Sequence, residues 1–174
     1  MRWREVEFEA VFLEHYGRVV SVLLRLVGDR TRAEELANDT FWKLYRTPGL
    51  SSTDGQLGGW LYRTATNLGI DALRTANRRR KYEDAAARGQ ESNSASSPLE
   101  DIARAEQRHR VRATLAVLKP AQAQILILRA SGFSYNELAS VMELSPGGIG
   151  TTLNRAQAEF RRAYLRLHGQ EKQL

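Results

Sequence analysis

Ser134-Tyr135-Asn136-Glu137-Leu138-Ala139-Ser140-Val141-Met142-Glu143-Leu144-Ser145-Pro146 decides the fold of this chain. Ser134 and Glu137 stand three apart, the spacing of a capping box, so a helix opens at Tyr135 and runs to Met142 with Leu138, Ala139 and Met142 on one face. Glu143-Leu144-Ser145 leaves room for a tight turn only. Ser145 then caps a second helix whose first position is Pro146, where a missing amide donor costs nothing, and which carries Ile149, Leu153, Ala156 and Phe160 inward. Two short helices about a three-residue turn, with an alanine where the first must pack closely, describe a helix-turn-helix. In that motif the second helix enters the DNA major groove, N-terminal residues first. A plain helical hairpin inside a bundle has the same spacing.

Upstream, Leu99, Ile102, Ala103, Glu106, Arg110, Val111, Thr114, Leu115, Val117 and Leu118 keep helical period up to Lys119-Pro120, and another helix runs from Ala121 to Ala130 before Ser131-Gly132. Residues 83–98 contain no large apolar side chain and end in a serine-rich run, so they read as a flexible linker between two halves, 1–82 and 99–174. In the first half, Phe8 to Val27 form one long amphipathic helix, with a break possible near Gly17 and a stop at Gly28-Asp29. Thr31 and Glu34 have capping-box spacing, and Ala33, Leu36, Ala37, Thr40, Phe41 and Leu44 form the next stripe, ended by Pro48-Gly49. A glycine-rich loop over 49–59 precedes a helix from Trp60, whose last turns carry Arg74-Thr75-Ala76-Asn77-Arg78-Arg79-Arg80-Lys81. That basic run complements the helix dipole and is either a solvated helix end or a nucleic-acid surface. Nothing alternates with period two, so the fold class is all-α: two small helical domains, each with its own modest core.

Composition narrows the function. The 174 residues hold 26 Lys+Arg against 20 Asp+Glu, a net charge of +6. No cysteine is present, which excludes disulfides, thiolate metal sites and cysteine nucleophiles, and three histidines, His15, His109 and His168, are scattered. No nucleophile-base set or phosphate loop appears, so neither enzymatic activity nor a cofactor or metal is expected. Without a membrane span or an export signal, a cytoplasmic protein with no membrane association is expected. A basic helix end, a tether and a helix-turn-helix together imply two contacts along one polyanion.

These features resemble the extracytoplasmic-function sigma factors, which direct bacterial RNA polymerase to promoters. Phe12-Leu13-Glu14-His15-Tyr16, Ala33-Glu34-Glu35-Leu36-Ala37-Asn38-Asp39-Thr40-Phe41, Trp60-Leu61-Tyr62-Arg63-Thr64-Ala65-Thr66-Asn67-Leu68 and Asp71-Ala72-Leu73-Arg74 look like successive motifs of sigma domain two. Leu118-Lys119-Pro120-Ala121-Gln122 and Gly132-Phe133-Ser134-Tyr135-Asn136-Glu137-Leu138-Ala139 look like sigma domain four. The resemblance implies a promoter-specificity subunit that binds core polymerase through the clamp helices of the largest subunit and the flap of the second-largest, recognises -35 and -10 promoter elements, and is restrained by an anti-sigma factor. It places Glu34, Glu35, Asn38, Asp39 and Trp42 on the polymerase. The loop from Leu50 to Gly59 with Trp60, Arg63, Asn67, Asp71 and Arg74 falls at the unpaired -10 strand, and Arg78, Arg79, Arg80 and Lys81 on adjoining phosphates. Trp60 also fits the apolar register of a core residue. Ser145, Gly148, Thr151, Thr152, Asn154 and Arg155 fall at the -35 element, with Arg161, Arg162 and Arg166 extending the positive face. Gly147, Gly148 and Gly150 depart from the basic residues often found there, which weakens the expected base readout. A helix-turn-helix regulator acting without polymerase, and a sigma-like adapter that reads no promoter, remain open alternatives.

Overall fold

The computed structural model describes residues 5–50, 55–87 and 99–169, and within them every regular element is an α-helix. α1 (Glu5–Val27) passes Gly17 without a break and stops at Gly28, whose φ of +75° favours glycine. α2 (Arg30–Arg46) begins one residue before the expected cap. Asp29 is the cap, accepting the Arg32 amide at 2.7 Å, while the expected box partner Glu34 accepts from Arg30 Nε at 2.9 Å instead. The helix ends at Thr47 because the residue before Pro48 is pushed out of helical geometry, here to ψ 113°.

α3 (Leu57–Ala87) is longer than expected at both ends. It takes in Leu57, Gly58 and Gly59 from the anticipated loop, and residues 83–87 from the anticipated linker. The alanines at 85–87 are strong helix formers, and Arg79 and Glu83 pair at 2.8 Å one turn apart, so a run without large apolar residues still stays helical. The rest of that linker, 88–98, lies outside the described residues. α4 (Leu99–Val117), α5 (Pro120–Ala130), α6 (Tyr135–Met142) and α7 (Pro146–His168) follow. The α6 box forms as its spacing dictates: Ser134 Oγ accepts the Glu137 amide at 3.2 Å and the Glu137 carboxylate accepts the Ser134 amide at 2.7 Å. Glu143 closes α6 in the left-handed region, at φ 55°. Ser145 precedes α7 but its hydroxyl makes no capping bond; the Gly148 amide closes that turn on the Ser145 carbonyl at 2.9 Å.

α1, α2 and α3 pack around Val19, Leu23, Leu26, Leu36, Phe41, Leu44 and Leu61, extended by the rings of Phe8, Phe12 and Tyr16. The second half packs around Ile125, Leu128, Phe133, Leu138, Ile149 and Leu153. Val141 is buried where Met142 was expected, and Met142 and Phe160 are half-buried. The two cores are not separate: the buried side chains of both halves form one cluster, because α3 turns a second face toward α4, α5 and α6. Tyr62 meets Phe133 edge to face with centroids 4.8 Å apart, and Gln124 donates to the Thr66 hydroxyl at 2.5 Å. Gly59 lets α6 approach so closely that an added Cβ would lie 2.8 Å from the Ser140 carbonyl oxygen.

Candidate nucleic-acid and polymerase interfaces

Residues 60, 63, 67, 71, 74, 78 and 81 follow one another at steps of three and four, so α3 carries Trp60, Arg63, Asn67, Asp71, Arg74, Arg78 and Lys81 on a single line. Arg79 and Arg80 flank its basic end. Trp60 is half-buried against the core, which supports its apolar register. Asn67, Asp71, Arg78 and Lys81 are exposed. The other two members of the line are not free. Arg63 donates to the Val141 carbonyl at 2.7 Å, the Ser140 carbonyl at 3.2 Å and the Glu143 carboxylate at 2.7 Å. Arg74 donates to the Leu118 carbonyl at 2.6 Å, and its Nε is buried with no partner among the described residues. Arg80 lies 3.0 Å from His109 Nδ1, and Arg79 pairs with Glu83. The second half therefore sits over part of the surface expected to face DNA.

Charge secures the same contact from α1. Arg18 reaches the Glu137 carboxylate at 2.6 Å and stacks over the Phe133 ring, 3.8 Å from its centroid. Arg18 as hydrogen-bond donor, reinforced by the Ser134 cap, holds the Glu137 carboxyl down to about 2. Neither Arg18 nor Gln124 stood out in the sequence. An arginine on a helix face and a glutamine after a proline carry no pattern until the partner element is known.

The helix-turn-helix stays open on its outer side. Ser145, Thr151, Asn154 and Arg155 are exposed, whereas Gly148 and Thr152 are half-buried and the Thr152 hydroxyl donates to the Gly148 carbonyl at 2.9 Å. The first half grips α6, not the helix expected in the groove. On α2, Glu35, Asn38, Asp39 and Trp42 share an exposed face, with Glu34 half-buried beside it. Glu34 and Glu35 are paired with Arg30 and Arg32. Trp42 is 59% exposed, stacked on Tyr45 at 6.0 Å and capped by Arg46 at 5.9 Å. Tyr45 and Arg46 belong to this patch; their spacing of three and four from Trp42 was the available signal. Among the described residues no His, Asp or Glu cluster suits a metal, and no helix is long and apolar enough to cross a membrane.

Comparison with known proteins identifies the family of both halves. The sigma-70 region 2 family matches residues 11–79, and the sigma-70 region 4 family matches residues 108–159. The chain is 26% identical over 164 residues to the RNA polymerase sigma-H factor of Pseudomonas aeruginosa, covering 90% of this chain and 85% of that one. It is 30% identical over 144 residues to the ECF RNA polymerase sigma factor EcfG of Rhodopseudomonas palustris, covering 79% and 74%. Among solved structures it shares its fold with CnrH in complex with the cytosolic domain of CnrY, at a TM-score of 0.56 and 19% identity over 89% of this chain and 85% of that one. It also shares it with the sigma factor RpoE bound to the anti-sigma factor NepR from Bartonella quintana, at 0.51 and 22%, over 90% and 95%.

Proposed function

Since the chain belongs to the extracytoplasmic-function sigma factors of the sigma-70 family, and so serves as a promoter-specificity subunit of RNA polymerase, we propose that the α3 line holds the -10 strand and α7 the -35 element. The alignment of Arg63, Asn67, Asp71, Arg74, Arg78 and Lys81 along one face of α3 carries this reading. Arginines at both ends supply phosphate contacts, while Asn67 and Asp71 between them supply the hydrogen-bonding groups that a displaced base needs. Arg155 and Asn154, exposed on the outer side of α7, are its strongest readers, with Ser145, Gly148, Thr151 and Thr152 allowing close approach of the duplex.

Core polymerase docks in this proposal on the Glu35, Asn38, Asp39 and Trp42 face of α2 through the clamp helices, and on the second half through the flap. An aromatic ring at the centre of a charged patch is the composition of an interface anchor. The protein acts with polymerase and has no chemistry of its own. An anti-sigma factor is part of the proposal, because both solved relatives above hold such a partner or a cytosolic domain in complex.

The closed contact has a functional meaning in this scheme. With Arg63 and Arg74 committed to the carbonyls of Ser140, Val141 and Leu118, the α3 line is incomplete as a strand-binding surface, so the second half must leave α3 before a promoter is opened. Transcription reconstituted with purified core polymerase and promoter fragments tests the proposal. Arg63→Ala and Asn67→Ala abolish strand opening in a permanganate footprint, and Asn154→Ala with Arg155→Ala weakens upstream protection. Unchanged output in the latter pair turns the second half into a docking module only.

A further inference from the structure

At the basic end of α3 the two halves meet through a titratable ring. Arg80 is exposed, and its Nη1 lies 3.0 Å from Nδ1 of His109, which is half-buried on α4. A guanidinium donates and never accepts, so this hydrogen bond needs a lone pair on Nδ1, that is, a neutral imidazole with its hydrogen on Nε2. The charged and titratable groups that face the ring come from three helices. α3 supplies Arg80. α4 supplies Arg112 and Glu106, and the Glu106 carboxylate already accepts from Arg110 Nε at 3.1 Å. α7 supplies His168, whose Nε2 is buried without a partner among the described residues. Burial first, then Arg80, with Arg112 and His168 behind it, push His109 below its ordinary 6.5, and the pull of Glu106 does not outweigh them.

We propose that His109 makes the contact between the halves sensitive to protons: the neutral ring holds the basic end of α3 against α4, and the protonated ring releases it. This rests on the reading of the closed form given above and adds what shifts the balance toward the open one. Protonated His109 offers Arg80 no acceptor and sets two cations 3.0 Å apart, whereas in the open form the ring faces water and titrates near its ordinary value. Opening therefore takes up a proton. A histidine depressed in the closed form stabilises that form above about 6.5, and the contribution is lost as pH falls through the lower closed-form value. One linked proton limits the response to about tenfold in the open-to-closed ratio per pH unit. Glu137, held down to about 2, stays ionised in this window, so its pairing with Arg18 is constant there.

Energy transfer between dyes on Lys43→Cys and Ala158→Cys, one in each half of the full chain, reads the open-to-closed ratio. From about pH 7.5 to about pH 5.5 that ratio rises about two- to tenfold in the otherwise unaltered protein. His109→Gln, whose side-chain oxygen still accepts from Arg80, stays closed across the range, and His109→Arg, a permanent cation, is open across it. His15→Gln and His168→Gln keep the response. A ratio that does not move with pH overturns the proposal, as does a response that survives in His109→Gln. NMR titration of the imidazole reads the ring itself: its midpoint lies below the ordinary value and rises toward it in Arg80→Ala, and a midpoint at the ordinary value in the wild type overturns the proposal as well. Thermal melting at the higher pH excludes misfolding of each variant. With purified core polymerase, output of the wild type relative to His109→Gln rises at the lower pH. No initiation by the wild type at either pH would instead remove the sigma-factor reading, a result separate from the transfer and NMR outcomes.

Discussion

Arg63 donates through Nε to the carbonyl oxygen of Val141 at 2.7 Å, so a side chain on the line assigned to the -10 strand is bound to the last turn of the first helix of the helix-turn-helix. In the proposed scheme, closure and the -10 strand compete for this one guanidinium. Arg63→Ala removes three acceptor contacts and loosens closure by about 2 kcal/mol, or about 30-fold in the open-to-closed ratio, while also losing strand opening. Glu143→Ala removes only the exposed ion pair, worth about 0.5 kcal/mol, and keeps the DNA function. Because the chain has no cysteine, fluorophores on Lys43→Cys and Ala158→Cys report the distance between halves directly by energy transfer.

Gly59 and Gly58 make a matched pair. A methyl group at Gly59 would stand 2.8 Å from the Ser140 carbonyl oxygen, a backbone atom that cannot turn aside, whereas nothing lies within 4 Å of one at Gly58. Gly59→Ala therefore wedges α6 from α3 at a cost of about 1–3 kcal/mol and shifts the energy-transfer signal toward the open form. Gly58→Ala leaves the signal unchanged and gains up to about 1 kcal/mol of helix stability.

The Glu137 carboxyl is held down to about 2 from an ordinary 4.5, chiefly by Arg18 and further by Ser134. A depressed carboxyl stabilises the folded, closed form above pH 4.5, and that contribution fades as pH falls from about 4.5 through about 2. Carbon-detected NMR titration of Glu137 measures it. Arg18→Ala raises the midpoint toward the ordinary value without reaching it, since the Ser134 cap persists.

Trp42→Ala leaves melting unchanged, because the ring is 59% exposed and, among the described residues, stacks on Tyr45 and under Arg46 alone. Its affinity for core polymerase, followed by fluorescence anisotropy, falls by about tenfold or more, the size expected for an aromatic anchor. Wild-type affinity in this variant removes Trp42 from the polymerase face.

Gly150 sits within the second turn of α7, and a Cβ there would meet Tyr135 Cε2 at 3.9 Å, an ordinary contact. Gly150→Ala thus raises stability by about 0.5–1 kcal/mol, or a few degrees in Tm, measured by calorimetry. Gly69→Ala has the opposite sign: its Cβ would lie 2.7 and 2.8 Å from the Leu26 and Leu23 methyl carbons in the closed core.

The elements that were legible are those written in short-range chemistry. Ser134, Glu137 and Pro146 mark the helix-turn-helix boundaries because caps and a first-turn proline act within four residues. The start of α2 was misplaced by one competing interaction, Arg30 taking Glu34, and the end of α3 by the helix strength of alanine, which apolar periodicity ignores. The line along α3 was legible residue by residue, but its occupant in the closed form was not. That contact is built from Gly59, Thr66, Gln124 and arginines aimed at backbone carbonyls, and a carbonyl leaves no trace in sequence.

α3, 31 residues and about 46 Å in length, also sets how the molecule comes apart. The chain leaves it at Ala87 and returns at Leu99, close to where Arg80 meets His109, while Arg63 and Gly59 grip α6 about 26 Å away along the same rod. The second half is therefore hung like a door, hinged at the basic end and latched at the other. The contacts at Arg63 and Gly59 lie farthest along α3 from the covalent connection, so chain linkage does least to restore them once they are lost.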